Sequence, residues 1–329
     1  KRVVVIGGGT GSFALLSGLK KYFSNITAIV NMSDDGGSTG VLRDELGVLP
    51  PGDVRQCLVA LSKDEDVLRD LFNYRFDTGT LHGHSFGNLF LSALEKVTGS
   101  FAQSVEQAAK LLNIEGRVLP VTLTNSNLVL TRSDGTRVEG EYAVANHELF
   151  PGEKPHLELY PRSTINPIAS QAIVEAELII IAPGHLYGSI APALLVDGME
   201  DAMRQSRARV VYVCNLVTKP GQTDGFKVHD YVDEIERFIG SERVNYVLYS
   251  NEIPDPDAIQ KYTAEGEHWV GHDVGVMSEK KYEAIGANLL SGTEVTHKAS
   301  DKLIKRSLIR HDGDKISKLI LELDASESC

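Results

Sequence analysis

The first candidate for chemistry is a glycine-rich segment near the start of the chain, "VVVIGGGTGSFALL". Four apolar residues precede the glycines, and an apolar helical pattern follows them at once. A strand that turns in this way into a helix brings backbone N–H groups close to a phosphate. The register Gly9-x-Gly11-x-x-Ala14 is typical of dinucleotide sites, and a tight turn without a ligand is the alternative. The residues expected to contact phosphate are Gly7, Gly8, Gly9, Thr10, Gly11 and Ser12.

A second glycine-rich turn, "SDDGGSTG", follows the next predicted strand. Two such loops at one edge of a sheet favour a ligand with a diphosphate. The residues expected to contact it are Asp35, Gly36, Gly37 and Ser38. Asp34 or Asp35 could hold Mg²⁺, activate a hydroxyl group or bind a ribose, and turn stabilisation is the alternative without a ligand.

The segment "PPGDVRQC" places a carboxylate and a cation at the start of a predicted helix. Asp53, with Gln56 three residues later, matches a capping box, so we expect Asp53 at the N-cap, and we also count it as a candidate ligand contact. Arg55 lies in the first turn of this helix, where a cation is repelled by the helix dipole. A cation is favoured at this position only when an anion lies nearby. We therefore expect Arg55 to bind a phosphate.

Polar side chains also precede a later helix in "LHGHSFGNLF". His84, Ser85 and Asn88 either hydrogen-bond to a ligand or, for Ser85, cap the helix. No cysteine pattern accompanies His82 and His84, which disfavours zinc binding by this pair.

Two further loops follow predicted strands of the same sheet. Tyr187 and Ser189 follow "IIIAPG", and Asn215, Thr218 and Asp224 follow "VVYVC". Because the carboxyl ends of parallel strands meet at one edge, we expect these five residues to line an extended ligand cleft.

The elements that must position these residues alternate between strand and helix. The apolar patterns predict strands at 3–7, 26–32, 176–184, 208–215 and 244–250, and helices at 11–23, 190–205, 229–239 and from Asp312 onward. This order predicts an α/β fold: a Rossmann-like, doubly wound, mostly parallel sheet with extra helices and an inserted β-hairpin. We expect residues 1–329 to form a single domain, with a helical stretch at about 53–112 and a hairpin insertion at about 117–162, marked by Asp134-Gly135.

Composition narrows the class of partner. The chain has 45 acidic and 33 basic residues, a formal net charge of −12, and no block of basic residues, so nucleic acid is not an expected partner. No apolar run is long enough to span a membrane, so we expect no membrane insertion. Three scattered cysteines and a strand near residue 1 favour a cytoplasmic protein without a signal peptide.

Six motifs in order resemble the gluconeogenesis factor family of YvcK type, within the CofD-like superfamily of 2-phospho-L-lactate transferases. They are "GGGTG", "SDDGGSTG", "PPGDVR", "GHSFGN", "PGHLYGS" and "CNLVTKPGQTDG". The resemblance covers nearly the whole chain and implies a Rossmann-like core. It also implies that Tyr262 and Arg310 contact a UDP-sugar. The chain departs from the family pattern at Ala182, His185 and Gly188, where Gly, Ser and Thr are usual.

Three functions remain open at this stage. The first is a regulator that binds a UDP-sugar, such as UDP-N-acetylglucosamine, and is needed for growth and cell shape on gluconeogenic carbon sources. The second is a Mg²⁺-dependent phospho-group transferase that uses a nucleotide-linked donor. The third is an NAD-binding protein, supported by the first glycine loop alone. The transferase alternative requires Mg²⁺, the ligand of the regulator is a UDP-sugar or another nucleotide, and a regulator would act through a homo-oligomer or a regulatory protein partner.

Overall fold

A computed structural model describes residues 1–63, 67–292 and 309–326 of the chain. Its strands are β1 (Arg2–Gly7), β2 (Asn25–Val30), β3 (Arg117–Pro120), β4 (Asn127–Thr131), β5 (Arg137–Glu139), β6 (His156–Tyr160), β7 (Leu178–Ile181), β8 (Arg209–Val213), β9 (Tyr246–Ser250) and β10 (Glu283–Ala287).

The helices surround two sheets. They are α1 (Gly9–Leu19), α2 (Gly37–Leu46), α3 (Gly52–Leu61), α4 (Val67–Asn73), α5 (Phe86–Thr98), α6 (Phe101–Leu111), α7 (Glu141–Ala145), α8 (Pro167–Val174), α9 (Ala191–Leu194), α10 (Met199–Gln205), α11 (Val228–Ile239), α12 (Pro256–Ala264), α13 (Val274–Ser278) and α14 (Gly313–Ser326). A π-helical turn, Leu186–Ile190, precedes α9.

The main sheet has seven parallel strands in the order β10-β9-β8-β7-β1-β2-β3. The predicted doubly wound α/β fold is therefore confirmed. Its central strands are nearly continuous apolar runs, such as Val3–Ile6, because both faces of a parallel sheet are covered. The winding direction reverses between β1 and β7, and this switch point is where open α/β sheets bind ligands.

A small antiparallel sheet, in the order β5-β4-β6, forms the insertion. The hairpin predicted from Asp134-Gly135 is confirmed, since β4 and β5 pair on either side of it. The expected start of the insertion at residue 117 is wrong. Arg117–Pro120 pairs with β2 as the edge strand of the main sheet.

Two helices differ from the sequence prediction. The segment after the second glycine turn forms α2, which we did not predict because its sequence, GSTGVLRDEL, begins with weak helix formers. The predicted helix 190–205 is interrupted, because Gly198 adopts a φ of 95° before α10 begins.

The last helix packs against the first. A Cβ at Gly313 would lie 1.9 Å from the carbonyl oxygen of Ala14, so only glycine permits this approach of α14 to α1. Asp312 accepts hydrogen bonds from the N–H groups of Asp314 and Lys315, so the predicted cap at this residue is confirmed. Within the described ranges, no helix has the length and apolar character needed to cross a membrane.

Candidate ligand site at the switch point

The first glycine loop lies at the switch point of the main sheet. Helix α1 begins at Gly9, and Gly8 at its N-cap provides no side-chain hydrogen bond to the helix. A Cβ at Gly11 would lie 2.0 Å from the carbonyl oxygen of Pro183, so the loop after β1 packs directly against the loop after β7. Thr10 is exposed in the first turn, whereas Ser12 is buried. The N-terminus of α1 therefore faces the region where this fold binds anions.

The second glycine loop is the N-terminus of α2. Gly36 is the N-cap residue, and Gly37 has a φ of 45°. Asp34 accepts a hydrogen bond of 3.0 Å from the N–H of Gly36, as in an Asx turn. Strands β1 and β2 are paired up to Gly7 and Val30, so the two loops leave neighbouring strands at the same edge.

Partly buried carboxyl groups from three parts of the chain meet beside these loops: Asp34, Asp53 and Glu141, with Asp35 at the margin. Burial raises the pKa of Asp34, against the hydrogen bonds from Gly36, Thr39 and Glu141. Burial and then the Asp34 charge raise the pKa of Asp53 to about 7. Burial and then the charges of Asp34, Asp53 and Asp35 raise the pKa of Glu141 to about 9. Glu141 therefore holds a proton at neutral pH, because burial and then the charges of the neighbouring carboxylates disfavour its ionised form.

Asp53 has a different role from the one predicted. Helix α3 begins at Gly52 with Pro51 as its N-cap residue, so the predicted N-cap at Asp53 is wrong. Its carboxylate instead faces the first glycine loop, where it receives a hydrogen bond from the N–H of Gly9. A Cβ at Gly8 would lie 2.0 Å from Asp53 Oδ2, so the bare backbone of the loop accommodates this side chain.

Glu141 was missed by the sequence analysis. It begins α7 in the insertion, and its Oε1 accepts a hydrogen bond of 3.2 Å from the hydroxyl of Ser189. Next to it, the N–H of Tyr142 donates to Asp35 Oδ1 at 2.7 Å. No local pattern around Glu141 marks it in the sequence, since its neighbours in the site are more than forty residues away along the chain.

Arg43 ties the Asp34 segment to the insertion. This arginine is 8% exposed. Its Nη1 donates to the carbonyl oxygens of Ser33 and Asp34, and its Nη2 donates at 2.8 Å to the side-chain oxygens of Asn125 and Asn127. The backbone of the second glycine loop is therefore held by a buried cation that the sequence analysis did not select.

Three polar residues from the starts of α2 and α5 meet at one point. The Ser38 hydroxyl lies 3.0 Å from His84 Nδ1, and Asn88 Nδ2 donates to the same hydroxyl at 3.3 Å. Ser85 caps α5 by accepting from the N–H of Asn88, which agrees with the capping alternative.

Arg55 points into the protein. Its Nε donates to Asn88 Oδ1 at 2.9 Å, and its Nη1 donates to Asn73 Oδ1 at 2.8 Å. The side chain is 4% exposed, and these two amide oxygens are internal acceptors for a cation in the first turn of α3. A phosphate contact by Arg55 stays a prediction.

The two candidate residues that follow β7, Tyr187 and Ser189, lie in different environments. Ser189 reaches the cluster of Asp34, Asp53 and Glu141 through its hydrogen bond to Glu141. Tyr187 is fully buried, and its ring packs edge-on against Phe238 of α11 at 6.2 Å between centroids. Burial and the nearby Glu234 charge raise the pKa of its hydroxyl. The structure places Tyr187 in the core, because the π-helical turn directs its ring toward α11.

The residues predicted after β8 have mainly structural contacts. Asn215 Nδ2 donates to the carbonyl oxygen of Gly184 at 2.7 Å and joins the loops after β7 and β8. Thr218 Oγ1 accepts from the N–H of His268 at 3.0 Å. Asp224 is exposed.

The resemblance implies that Tyr262 and Arg310 contact the ligand, and the structure brings Tyr262 next to the segment that contains Arg310. The Tyr262 hydroxyl accepts from the N–H of Ile309, the residue before Arg310, at 3.2 Å. The carbonyl oxygen of Arg310 accepts from the N–H of Ser291. Their contact with a nucleotide stays a prediction.

The cluster of carboxyl groups from Asp34, Asp53 and Glu141 suits Mg²⁺ by its chemistry, since Mg²⁺ prefers oxygen ligands. In the part of the chain that the structure describes, however, no three His, Cys, Asp or Glu side chains are arranged as a complete metal site. Mg²⁺ commonly uses one or two carboxylates together with phosphate oxygens of a bound ligand. Asp34 fits this second arrangement, in which a diphosphate would supply the remaining ligands.

The fold and site define a doubly wound α/β protein with two glycine-rich anion loops at its switch point. The family described as "2-phospho-L-lactate transferase CofD" matches residues 3–290, and the chain belongs to this family, as the six motifs predicted.

Relatives and a solved structure cover nearly the whole chain. The chain is 41% identical over 329 residues to a gluconeogenesis factor of Halalkalibacterium halodurans, covering 98% of this chain and 96% of that protein. It is 37% identical over 326 residues to a gluconeogenesis factor of Bacillus subtilis, covering 98% of each. A crystal structure of a protein from Bacillus halodurans aligns with a TM-score of 0.88 and 38% identity over 98% of this chain and 99% of that one.

Proposed function

We propose that this protein is a regulator that binds a UDP-sugar, such as UDP-N-acetylglucosamine, at the switch point. The observation that carries the proposal is the pair of glycine-rich helix N-termini, of α1 and α2, on the neighbouring strands β1 and β2. Each offers backbone N–H groups at the positive end of a helix dipole, which suits the two phosphates of a nucleoside diphosphate.

The relatives support the physiological part of the proposal. Proteins that match this chain over nearly its whole length bear the name gluconeogenesis factor. We propose that the protein acts in the cytoplasm, where growth and cell shape depend on it during gluconeogenesis. Ligand binding would favour a conformation that a regulatory protein partner or a second copy of the chain recognises.

The ligand is tested by titration calorimetry with UDP-N-acetylglucosamine, GDP and NAD, each with and without Mg²⁺. We expect UDP-N-acetylglucosamine to bind most tightly, and to bind without Mg²⁺, because N–H groups hold phosphates without a metal. Tighter binding of NAD would replace this proposal with the dinucleotide alternative.

The two ends of α2 provide a matched pair of variants. Gly37 at its start and Gly47 after its end both have positive φ angles, 45° and 63°, and a Cβ at either would meet nothing within 4 Å. Gly37→Val and Gly47→Val should therefore strain the backbone similarly. We expect Gly37→Val alone to weaken UDP-N-acetylglucosamine binding, by about tenfold or more. Equal affinities in the two variants would remove the second loop from the site.

A Mg²⁺-dependent phospho-group transferase is the second candidate function. The cluster of Asp34, Asp53 and Glu141 beside the two glycine loops favours it. The family name, 2-phospho-L-lactate transferase, points in the same direction. In this reading Asp34 would hold Mg²⁺, which would neutralise charge on the diphosphate of the donor; the phospho group would pass to the acceptor as the bridging P–O bond breaks and a nucleoside monophosphate leaves. Asp34 would be oriented by the N–H of Gly36 and by Glu141.

Turnover distinguishes the two candidates. A regulator should not consume a nucleotide-linked donor, whereas a transferase should do so with Mg²⁺. In a transferase, Asp34→Asn should lower the rate by about a hundredfold or more, because the metal would lose an anionic ligand. Donor consumption by the purified protein, lost in Asp34→Asn, would favour the transferase over the regulator.

A further inference from the structure

Two polar side chains outside the glycine loops lie on neighbouring loops at the switch point. His185 follows β7, and Lys219 follows β8, which is the next strand of the sheet. The Asn215 side chain donates to the carbonyl oxygen of Gly184 at 2.7 Å, so the two loops are in contact immediately before His185. The first glycine loop also contacts the loop after β7, since Gly11 packs against Pro183.

The His185 ring uses one nitrogen for the fold. Its Nδ1 accepts a hydrogen bond of 3.0 Å from the N–H of Gly188 and caps the π-helical turn. Because Nδ1 accepts, the proton of the neutral ring is on Nε2. Nε2 is buried, and it has no hydrogen-bond partner among the residues that the structure describes. A buried donor without an acceptor costs free energy, which points to an acceptor that a ligand supplies.

Lys219 provides the positive charge of this region. Its side chain is partly buried, and none of the hydrogen bonds and ion pairs of the described residues involves its ammonium group. Burial and then the Lys219 charge lower the pKa of His185 to about 4. His185 is therefore a neutral donor at neutral pH, and its ring feels the charge of Lys219 from the neighbouring loop. The Lys219 charge also acts on Glu267, where burial raises the pKa and the Lys219 charge lowers it.

We propose that His185 Nε2–H and the Lys219 ammonium group form an oxyanion subsite, which takes one phosphate or carboxylate oxygen of the bound ligand. The proposal rests on the proposed function, since it assumes an acidic, nucleotide-linked molecule at the switch point. A neutral N–H donor beside a lysine suits an oxyanion, because both groups donate hydrogen bonds and one supplies charge. The subsite adds side-chain contacts to a site otherwise built from backbone N–H groups.

Two substitutions of His185 separate its two nitrogens. In His185→Asn, the side-chain oxygen can still accept from the N–H of Gly188, whereas the Nε2 donor is lost. In His185→Gln, the longer amide can place an N–H near the position of Nε2. We expect His185→Asn to weaken UDP binding about tenfold, and His185→Gln to retain more of the affinity. Lys219→Met, which keeps the length of the side chain, should also weaken binding about tenfold.

Three probes identify the source of the oxyanion. If the diphosphate supplies it, the variants should lose affinity equally for UDP, UDP-N-acetylglucosamine and UDP-glucuronic acid. If a sugar carboxylate supplies it, only UDP-glucuronic acid should bind less well to the variants. Wild-type affinity for all three probes in both His185→Asn and Lys219→Met would overturn the subsite while leaving UDP-sugar binding intact.

A measurement on the ring itself tests the subsite independently of UDP. Histidine nitrogen NMR should show a shift of the His185 Nε2 resonance when inorganic pyrophosphate is added, and Lys219→Met should weaken this response. If the wild-type protein binds no UDP compound but shows this shift, the proposed function fails and the subsite stands. If neither UDP compounds nor pyrophosphate affect the protein, both proposals fail.

Discussion

Arg43→Ala is expected to lower the free energy of unfolding by about 3 kcal/mol or more, because it removes a buried cation and leaves its acceptors unpaired. Arg43 donates to the backbone of Ser33 and Asp34 and to the side chains of Asn125 and Asn127. The measurement is urea unfolding followed by circular dichroism.

The matched control is Arg204→Ala, which removes an exposed arginine from α10. Within the described part of the chain, Arg204 pairs with two surface carboxylates, Glu200 and Asp201, so we expect a change below about 1 kcal/mol. Equal stability losses in Arg43→Ala and Arg204→Ala would show that the buried network is not needed to hold the second glycine loop.

Glu141→Gln is expected to raise stability at pH 8 and to flatten its dependence on pH. The pKa of Glu141 is raised from 4.5 to about 9, so the folded protein holds a proton that the unfolded chain has released between these values. Stability must therefore fall as the pH rises from about 5 to about 9. Glutamine is neutral throughout this range and avoids the loss. The measurement is urea unfolding from pH 5.5 to 9 in the presence of a chelator.

Because one pKa unit corresponds to about 1.4 kcal/mol, even a fraction of this shift gives a measurable slope. Glu139→Gln is the control, since it replaces an exposed carboxylate two residues away. We expect that control to keep the wild-type pH profile. Parallel profiles for wild type and Glu141→Gln would mean that Glu141 does not hold a proton in the folded protein.

The main elements of the fold could be predicted because each has a local cause. The apolar run Val3–Ile6, the turn after it and the next apolar run specify a β-α-β unit, and Asp134-Gly135 specifies the hairpin. Helix α2 could not be predicted in this way. Its first residues favour turns, and its stability depends on burying Arg43 against the insertion.

The candidate site could be predicted from the sequence only where backbone N–H groups are the candidate ligand contacts. A glycine-rich loop can be recognised from its local sequence, whereas side chains that come together only through folding cannot. Glu141 joins Asp34 and Asp53 because the insertion returns to the sheet edge, which no spacing encodes. Arg55 and Tyr187 carry the right chemistry in the right motifs, yet their side chains turn inward to acceptors and packing partners supplied by other helices.

The packing of α14 on α1 has a consequence for the entropy of ligand binding. Gly313 fixes α1 from one side, and the loop of Pro183 fixes its start at Gly11 from another, so folding alone sets the direction of its first N–H groups. The conformational entropy lost in ordering these donors is then part of the folding equilibrium, and a ligand that arrives later does not have to order them again. A site that is ordered in advance can hold a small anionic group tightly with few contacts.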